Sequence, residues 1–417
     1  MLLGKMDISR YVAIGDSVTS GYSDGALYYD AQLTSYPNLL ANQFKSYGGG
    51  EFRQALINKD SVGIGFYENS RMVLKKDDPY TNSTGLSFLA PQGDLSVFLE
   101  NIYPEHGPFH NMGIPGLKAI TAILPGYGNP ANGLGNFNPF FSRIASNPKV
   151  KSVLDDVLAI RPTFFTLFIG NNDVLAYALS GGTSDLITPA FATASDLNFE
   201  GAVNKMVDAL LESGAKGAIA NIPDIWDIPF FTSIPFNGLL IGKKQANQLN
   251  LKYPSTKIYF KEGNNPFLVQ TQEGVRQMKA GELILMDVLF DPDKHACLAG
   301  EIPIPKKYVL TSTEAVKVQN TITEYNAILE SIAKSNKLAF VNTNALVKTV
   351  AADRVYDGRT FNLCYQKKRV FSLDGLHLNS LGQALLSNAF IKAINATYGS
   401  SIPKINLLKY RRMTECE

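Results

Sequence analysis

Ser17 stands directly after the apolar run Tyr11-Val-Ala-Ile14, in the turn Gly15-Asp16-Ser17. A serine hydroxyl is a weak nucleophile until a neighbouring base accepts its proton. The chain has only four histidines, at 106, 110, 295 and 377. His377 is the natural base, and Asp374, three residues earlier, can hold its ring. An acyl-transfer intermediate also needs donors for its oxyanion. Gly116 offers a backbone N–H where no Cβ blocks approach, and Asn172 offers a side-chain amide. Ser17 as nucleophile, His377 as base, Asp374 as orienter, and Gly116 and Asn172 as oxyanion donors make one set for ester chemistry. Each has a plainer use: Ser17 as a helix N-cap, Asp374-Gly375 as a turn. Asp16 and Asp173 read as loop anchors, and Asn171 is given no role.

These residues need elements to bring them together. Tyr11-Val-Ala-Ile14, Phe109-His-Asn-Met112, Thr163 to Ile169, Gly217 to Asn221 and Leu338 to Val341 read as short buried strands. Helices are expected over Tyr36–Phe44, with Pro37 in the first turn, and over Gly201–Leu211, closed by Gly214. A further helix is expected to open at Asn147-Pro148. Thr311-x-x-Glu314 caps a long helix, and Ser380-x-x-Gln383 is expected to cap the last one. Strand and helix alternate about five times, which predicts a parallel sheet in a three-layer α/β/α, flavodoxin-like fold. Two stretches break the alternation, at about 45–107 and 224–309. They read as insertions in one domain spanning 1–417. Lys257–Phe260 and Glu282–Leu285 suggest hairpins within the second. Ligands in such a fold bind beyond the carboxyl ends of the strands, where the candidate residues fall.

Taken in order, Gly15-Asp-Ser17, Asn111-x-Gly-x-x-Gly116, Gly170-Asn-Asn-Asp173 and Asp374-x-x-His377 resemble the four blocks of the SGNH hydrolases, also called the GDSL family. The first block departs in one place, with Val18 where the family has leucine. The resemblance spans Gly15 to His377. It implies a serine esterase or lipase with Ser17, Asp374 and His377 as its triad. It also implies an oxyanion hole of Ser17, Gly116 and Asn172, and no metal or cofactor. The Tyr-Val-Ala-Ile-Gly-Asp-Ser opening is similar to that of secreted or lipid-anchored bacterial members. That implies an export signal absent from Met1-Leu-Leu-Gly-Lys-Met, whose apolar stretch is too short to be one.

Composition narrows the field. The 417 residues carry 39 Lys+Arg and 37 Asp+Glu, a net charge of +2, which gives no reason to expect a nucleic-acid partner. No apolar run approaches the roughly 18 residues of a membrane span. Cys297, Cys364 and Cys416 are too scattered for a disulfide scaffold or a zinc site; one bridge or three free thiols both fit. His106 and His110 have helical zinc-ligand spacing, but Gly107-Pro108 between them disfavours the helix. No Gly-x-Ser-x-Gly elbow occurs, and Gly48-Gly-Gly50 lacks the rest of a phosphate loop. The aromatic-rich segment from Tyr22 to Tyr36 fits either a cleft lining or core packing. The expected partner is a small-molecule ester: a lipid, a simple acyl ester or an acetylated sugar. The competing reading is a non-catalytic glycan- or lipid-binding module, against which the intact Ser/His/Asp set argues. Sequence leaves acyl preference and oligomeric state open.

Overall fold

The computed structural model describes residues 6–75, 85–133, 135–184, 187–191, 197–254, 257–351, 355–356, 359–360 and 370–410. Cys364 and Cys416 lie outside them; Cys297 is a buried free thiol.

The chain divides into two compact units. The first comprises Met1–Asp173, Thr188–Pro223 and Glu324–Glu417. Its frame begins with β1 (Tyr11–Gly15), the single turn α1 (Ser17–Ser20) and α2 (Tyr36–Phe44). β2 (Asn111–Gly113), α3 (Val153–Ala159) and β3 (Phe164–Phe168) follow. After them come α4 (Asn171–Leu179), which runs on into the second unit, α5 (Phe199–Glu212) and β4 (Lys216–Ala220). α6 (Ser312–Ser335), which enters from the second unit, β5 (Ala339–Val341) and α7 (Ser380–Tyr398) complete it. The five strands form one parallel sheet in the order β5-β4-β3-β1-β2. That is the doubly wound arrangement in which the strand order reverses between β1 and β3, and it bears out the expected fold class.

Composition explains why β3 lies at the centre. Phe164, Phe165 and Leu167 are fully buried, and each side chain contributes about 1.5–3 kcal/mol by leaving water. Thr166, in the same run, keeps its hydroxyl bonded to the Tyr11 hydroxyl at 2.9 Å, so the polar atom is satisfied inside the core. α5 buries Ala202, Val203, Met206, Val207 and Leu210, the three-and-four spacing of one helix face. Asn198 caps it by accepting the Gly201 N–H at 2.8 Å.

Three local expectations are corrected. Asn147 opens a turn, not a helix: its Oδ1 accepts the Lys149 N–H, and Val150 is exposed. The helix begins at Val153, where Ser152 and Asp155 make a reciprocal capping box. Ser380 does not cap the last helix. Asn379 does, accepting the Gly382 N–H at 3.0 Å, and Gln383 is used elsewhere. Lys257–Phe260 is no extended strand and carries only one β-bridge residue, Ile258, whereas Leu283–Ile284 pairs with Val309–Leu310. The Thr311–Glu314 box is present, with the Thr311 N–H on Glu314 at 2.8 Å.

The second unit comprises Val174–Ile187 and Asp224–Thr323. Its antiparallel pairs include Leu268–Thr271 with Gly274–Gln277. Its own core gathers Leu268, Val269, Phe260, Ile284, Val288, Cys297 and Val309. The stretch expected as the second insertion, 224–309, falls within this unit.

Candidate active site

The strands end in register: Gly15 lies opposite both Gly113 and Phe168. The residues after β1, β2 and β3 therefore emerge at one sheet edge. Gly113 must be glycine, because a Cβ there would lie 2.2 Å from the Ser20 backbone nitrogen. That close approach seats α1 against β2.

Ser17 opens α1, whose turn ends at Gly21 with φ 84°. One turn carries little macrodipole, so any anion affinity here comes from individual N–H groups. Asp16 fixes the turn. Its Oδ1 accepts the Val18 N–H at 3.0 Å, and its Oδ2 accepts from the Asn171 amide at 2.8 Å. Burial pushes the Asp16 carboxyl up to about 6, while these hydrogen bonds and His377 oppose the rise. Asn171, unassigned from sequence, is thus the brace between the β1 and β3 turns.

His377 and Asp374 share a tight loop before α7. Phe371 bridges Leu378, and the Ser372 N–H donates to the His377 carbonyl at 2.8 Å. Asp374 Oδ1 accepts the Leu376 and His377 N–H groups at 2.9 and 2.8 Å, together with the Ser372 hydroxyl at 2.8 Å. Its Oδ2 lies 2.8 Å from His377 Nδ1 and accepts the Gly25 N–H at 2.9 Å. Burial opposes ionisation of Asp374, but the His377 ring and these hydrogen bonds outweigh it and hold the carboxyl well below the usual carboxylate range. An ionised carboxylate only accepts, so the ring proton sits on Nδ1. Nε2 is left as the acceptor, 2.9 Å from Ser17 Oγ. Ser17, Asp374 and His377 are all buried, each with a small exposed fraction. The Tyr22 ring packs on His377 with centroids 4.7 Å apart, so the start of the aromatic segment belongs to the site. Tyr36, at its end, is core, stacked on Phe390.

Gly116 follows β2 by three residues and has φ 81°, a conformation that glycine adopts without strain. The Asn172 amide donates to the Leu117 carbonyl at 3.2 Å, which holds it beside the Gly116 segment with a second amide proton to spare. Among the described residues, neither the Ser17 nor the Gly116 N–H donates to a protein acceptor. Asp173 is an anchor: its Oδ2 accepts the Ala119 N–H at 2.9 Å. His110 Nδ1 accepts the Arg53 N–H at 3.1 Å, while His106 is exposed beside Glu105.

Sequence reasoning missed a second turn. Ser23-Asp24-Gly25-Ala26 closes with reciprocal Ser23 and Ala26 backbone bonds, and Asp24 and Gly25 both have positive φ, 53° and 74°. The Asp-Gly pair is the signal for such a turn. Asp24 Oδ1 accepts the Leu373 N–H at 2.8 Å and its Oδ2 the Tyr28 hydroxyl at 2.7 Å. The Asp24 N–H donates to the Ser372 hydroxyl at 2.9 Å. This turn therefore grips the loop that carries Asp374.

No protein-family model and no curated protein matches the chain. Solved structures do. One is Axe2, an acetylxylan esterase from Geobacillus stearothermophilus, at 12% identity and a TM-score of 0.38, covering 94% of this chain and 96% of that one. Another is LAE5, an alpha/beta hydrolase enzyme from the metagenome of Lake Arreo, Spain, at 11% identity and a TM-score of 0.38, covering 94% and 97%. Likeness this distant does not carry their activities to this chain.

Proposed function

We propose that the chain is a serine hydrolase of carboxylic esters, of the SGNH (GDSL) type, working through an acyl-enzyme. The observation that carries this reading is the continuous hydrogen-bonded line from Ser17 Oγ through His377 to Asp374, at 2.9 and 2.8 Å. Ser17 Oγ attacks the acyl carbon while His377 Nε2 takes the hydroxyl proton. Ionised Asp374 stabilises the imidazolium that results. The tetrahedral oxyanion is met by the Ser17 and Gly116 N–H groups and the spare Asn172 amide proton; the first two have no other acceptor among the described residues. The carbon–oxygen bond to the alcohol then breaks, and His377 returns its proton to the leaving oxygen. Water attacks the acyl-enzyme, giving its proton to His377; Ser17 leaves and recovers that proton as the acid is released. The substrate is a small-molecule ester. In this reading one catalytic domain spans the chain, with 45–107 and 224–309 as insertions.

A fluorophosphonate probe should label Ser17, and Ser17→Ala should lose both the label and hydrolysis of p-nitrophenyl acetate. Undiminished hydrolysis by that variant overturns the assignment.

A further inference from the structure

Phe66 lies in the first expected insertion, on a turn that is firmly tied down. The Gly65 N–H donates to the Asn69 carbonyl at 2.8 Å and the Gly93 N–H to the Glu68 carbonyl at 2.7 Å. The Ile64 and Leu27 backbones exchange both of their hydrogen bonds, at 3.0 and 2.9 Å. The Phe66 N–H donates to the Tyr22 hydroxyl at 3.3 Å. Its ring leans on Tyr22, with centroids 5.7 Å apart, and meets Phe140 edge-on at 5.5 Å. Despite those contacts Phe66 is 48% exposed, and the adjacent Tyr67 is 83% exposed. The ring also lies against Gly116: a Cβ built there would be 3.0 and 3.2 Å from two of its carbons.

A half-open aromatic face therefore borders one of the groups assigned to the oxyanion, and through Tyr22 it borders the ring of His377. A surface phenylalanine by itself needs no explanation. This one is held rigidly, beside the site, by a turn with hydrogen bonds on both sides. A ring lying face-on to Phe66 covers a larger apolar area in one contact than a flexible acyl chain does, and it freezes fewer rotors in doing so. We propose that Phe66 forms a binding subsite for a flat, C–H-rich ring carried by the ester, a pyranose or an aryl group. The subsite rests on the serine-hydrolase reading for its place beside the reacting carbon.

The test follows hydrolysis by pH-stat of glucose pentaacetate, phenyl acetate and ethyl acetate, which supply a pyranose, an aryl ring and no ring. Phe66→Ala should lower the ratio of kcat/KM on a ring-bearing ester to that on ethyl acetate by about five- to tenfold, the size of an aromatic face contact, mainly through KM. Phe66→Trp should restore the ratio. The arm that responds names the ring. Ratios unchanged in both arms, including a fall common to all three esters, overturn the subsite and leave Phe66 as support for Tyr22. A second measurement stands apart from turnover: saturation-transfer NMR of glucose pentaacetate and phenyl acetate on Ser17→Ala, with and without Phe66→Ala. A ring signal lost with Phe66 supports the subsite, even if the hydrolase reading fails in the Ser17→Ala assay. Equal signals, or none from either ring, overturn it.

Discussion

Replacing Asp24 with alanine should damage stability and chemistry together. Asp24 is buried, and its carboxylate accepts two hydrogen bonds, from the Leu373 N–H and the Tyr28 hydroxyl. Each bond to a charged group is worth roughly 1.5–3 kcal/mol, so the pair accounts for about 3–6 kcal/mol. Relaxation and escape from burying a carboxylate offset part of that loss. Alanine at φ 53° adds about 1 kcal/mol, because aspartate and asparagine tolerate the left-handed region better than other L residues. A net loss of roughly 3–5 kcal/mol is expected, read by urea unfolding and linear extrapolation. Chemistry suffers because this turn also presents the Gly25 N–H to Asp374 and steers the Ser372 hydroxyl. Slack of an ångström at a group that orients the base costs about a hundredfold in kcat. Asp24→Asn retains an oxygen for the Leu373 N–H and the tolerance for positive φ. It should therefore recover most of the kinetic loss and roughly half of the stability loss, since neutral hydrogen bonds are worth about 0.5–1.5 kcal/mol each. The reasoning is refuted if Asp24→Ala unfolds within about 1 kcal/mol of wild type with kcat intact. It is equally refuted if the asparagine variant is as damaged as the alanine one, since charge would then matter more than geometry.

Asn172→Ala should lower kcat by about 10²–10³ with little change in KM, because the spare amide proton is assigned to an oxyanion that forms only in the transition state; steady-state kinetics on p-nitrophenyl acetate would show a rise in KM instead if Asn172 merely binds substrate. Asp173→Asn should alter the pH dependence of stability. Burial raises Asp173 from 3.8 to about 6, against the Ala119 N–H, the Thr188 hydroxyl and Lys118, which oppose the rise. A raised carboxyl favours the folded state fully below about pH 4, and that contribution is lost as pH rises through about 6. The gap of about two pH units is worth ~3 kcal/mol. The variant lacks this slope, so its stability relative to wild type should improve by up to that amount between pH 4 and 8. Denaturant titrations at several pH values measure it, and a constant difference contradicts the burial argument.

What sequence revealed here follows from the range of the forces involved. The five strands were legible because each is a short apolar run ended by turn residues, and the parallel sheet follows from alternation with helices. Helix starts were less legible where two capping signals competed. Asn147-Pro148 has the right residue types, but Ser152 and Asp155 satisfy two backbone donors reciprocally and so move the N-cap from Asn147 to Ser152. Ser380-x-x-Gln383 misled for a different reason. Gln383 is not a cap but a strut: its Oε1 accepts the Tyr36 N–H and its Nε2 donates to the Val18 carbonyl, both at 3.0 Å. Nothing local distinguishes these uses of glutamine.

The same distinction separates the residues proposed to react from those that hold them. Ser17, Asp374, His377 and Asn172 are legible as candidates because the chemistry proposed for them is a property of residue type and block spacing. Their supports are properties of contact alone. Asn171 reaches Asp16 across 155 positions, and Gly25 reaches Asp374 across 349. The separation of Ser17 Oγ and His377 Nε2 depends on two such links. Gln383 ties α7 to the carbonyl of Val18, one residue beyond the serine. The Asp24 turn ties the Asp374 loop to the segment that follows α1. Both links end within a few residues of Ser17 on one side and His377 on the other, and they enter from different elements. It follows that loosening either should misalign the pair without touching a reacting atom.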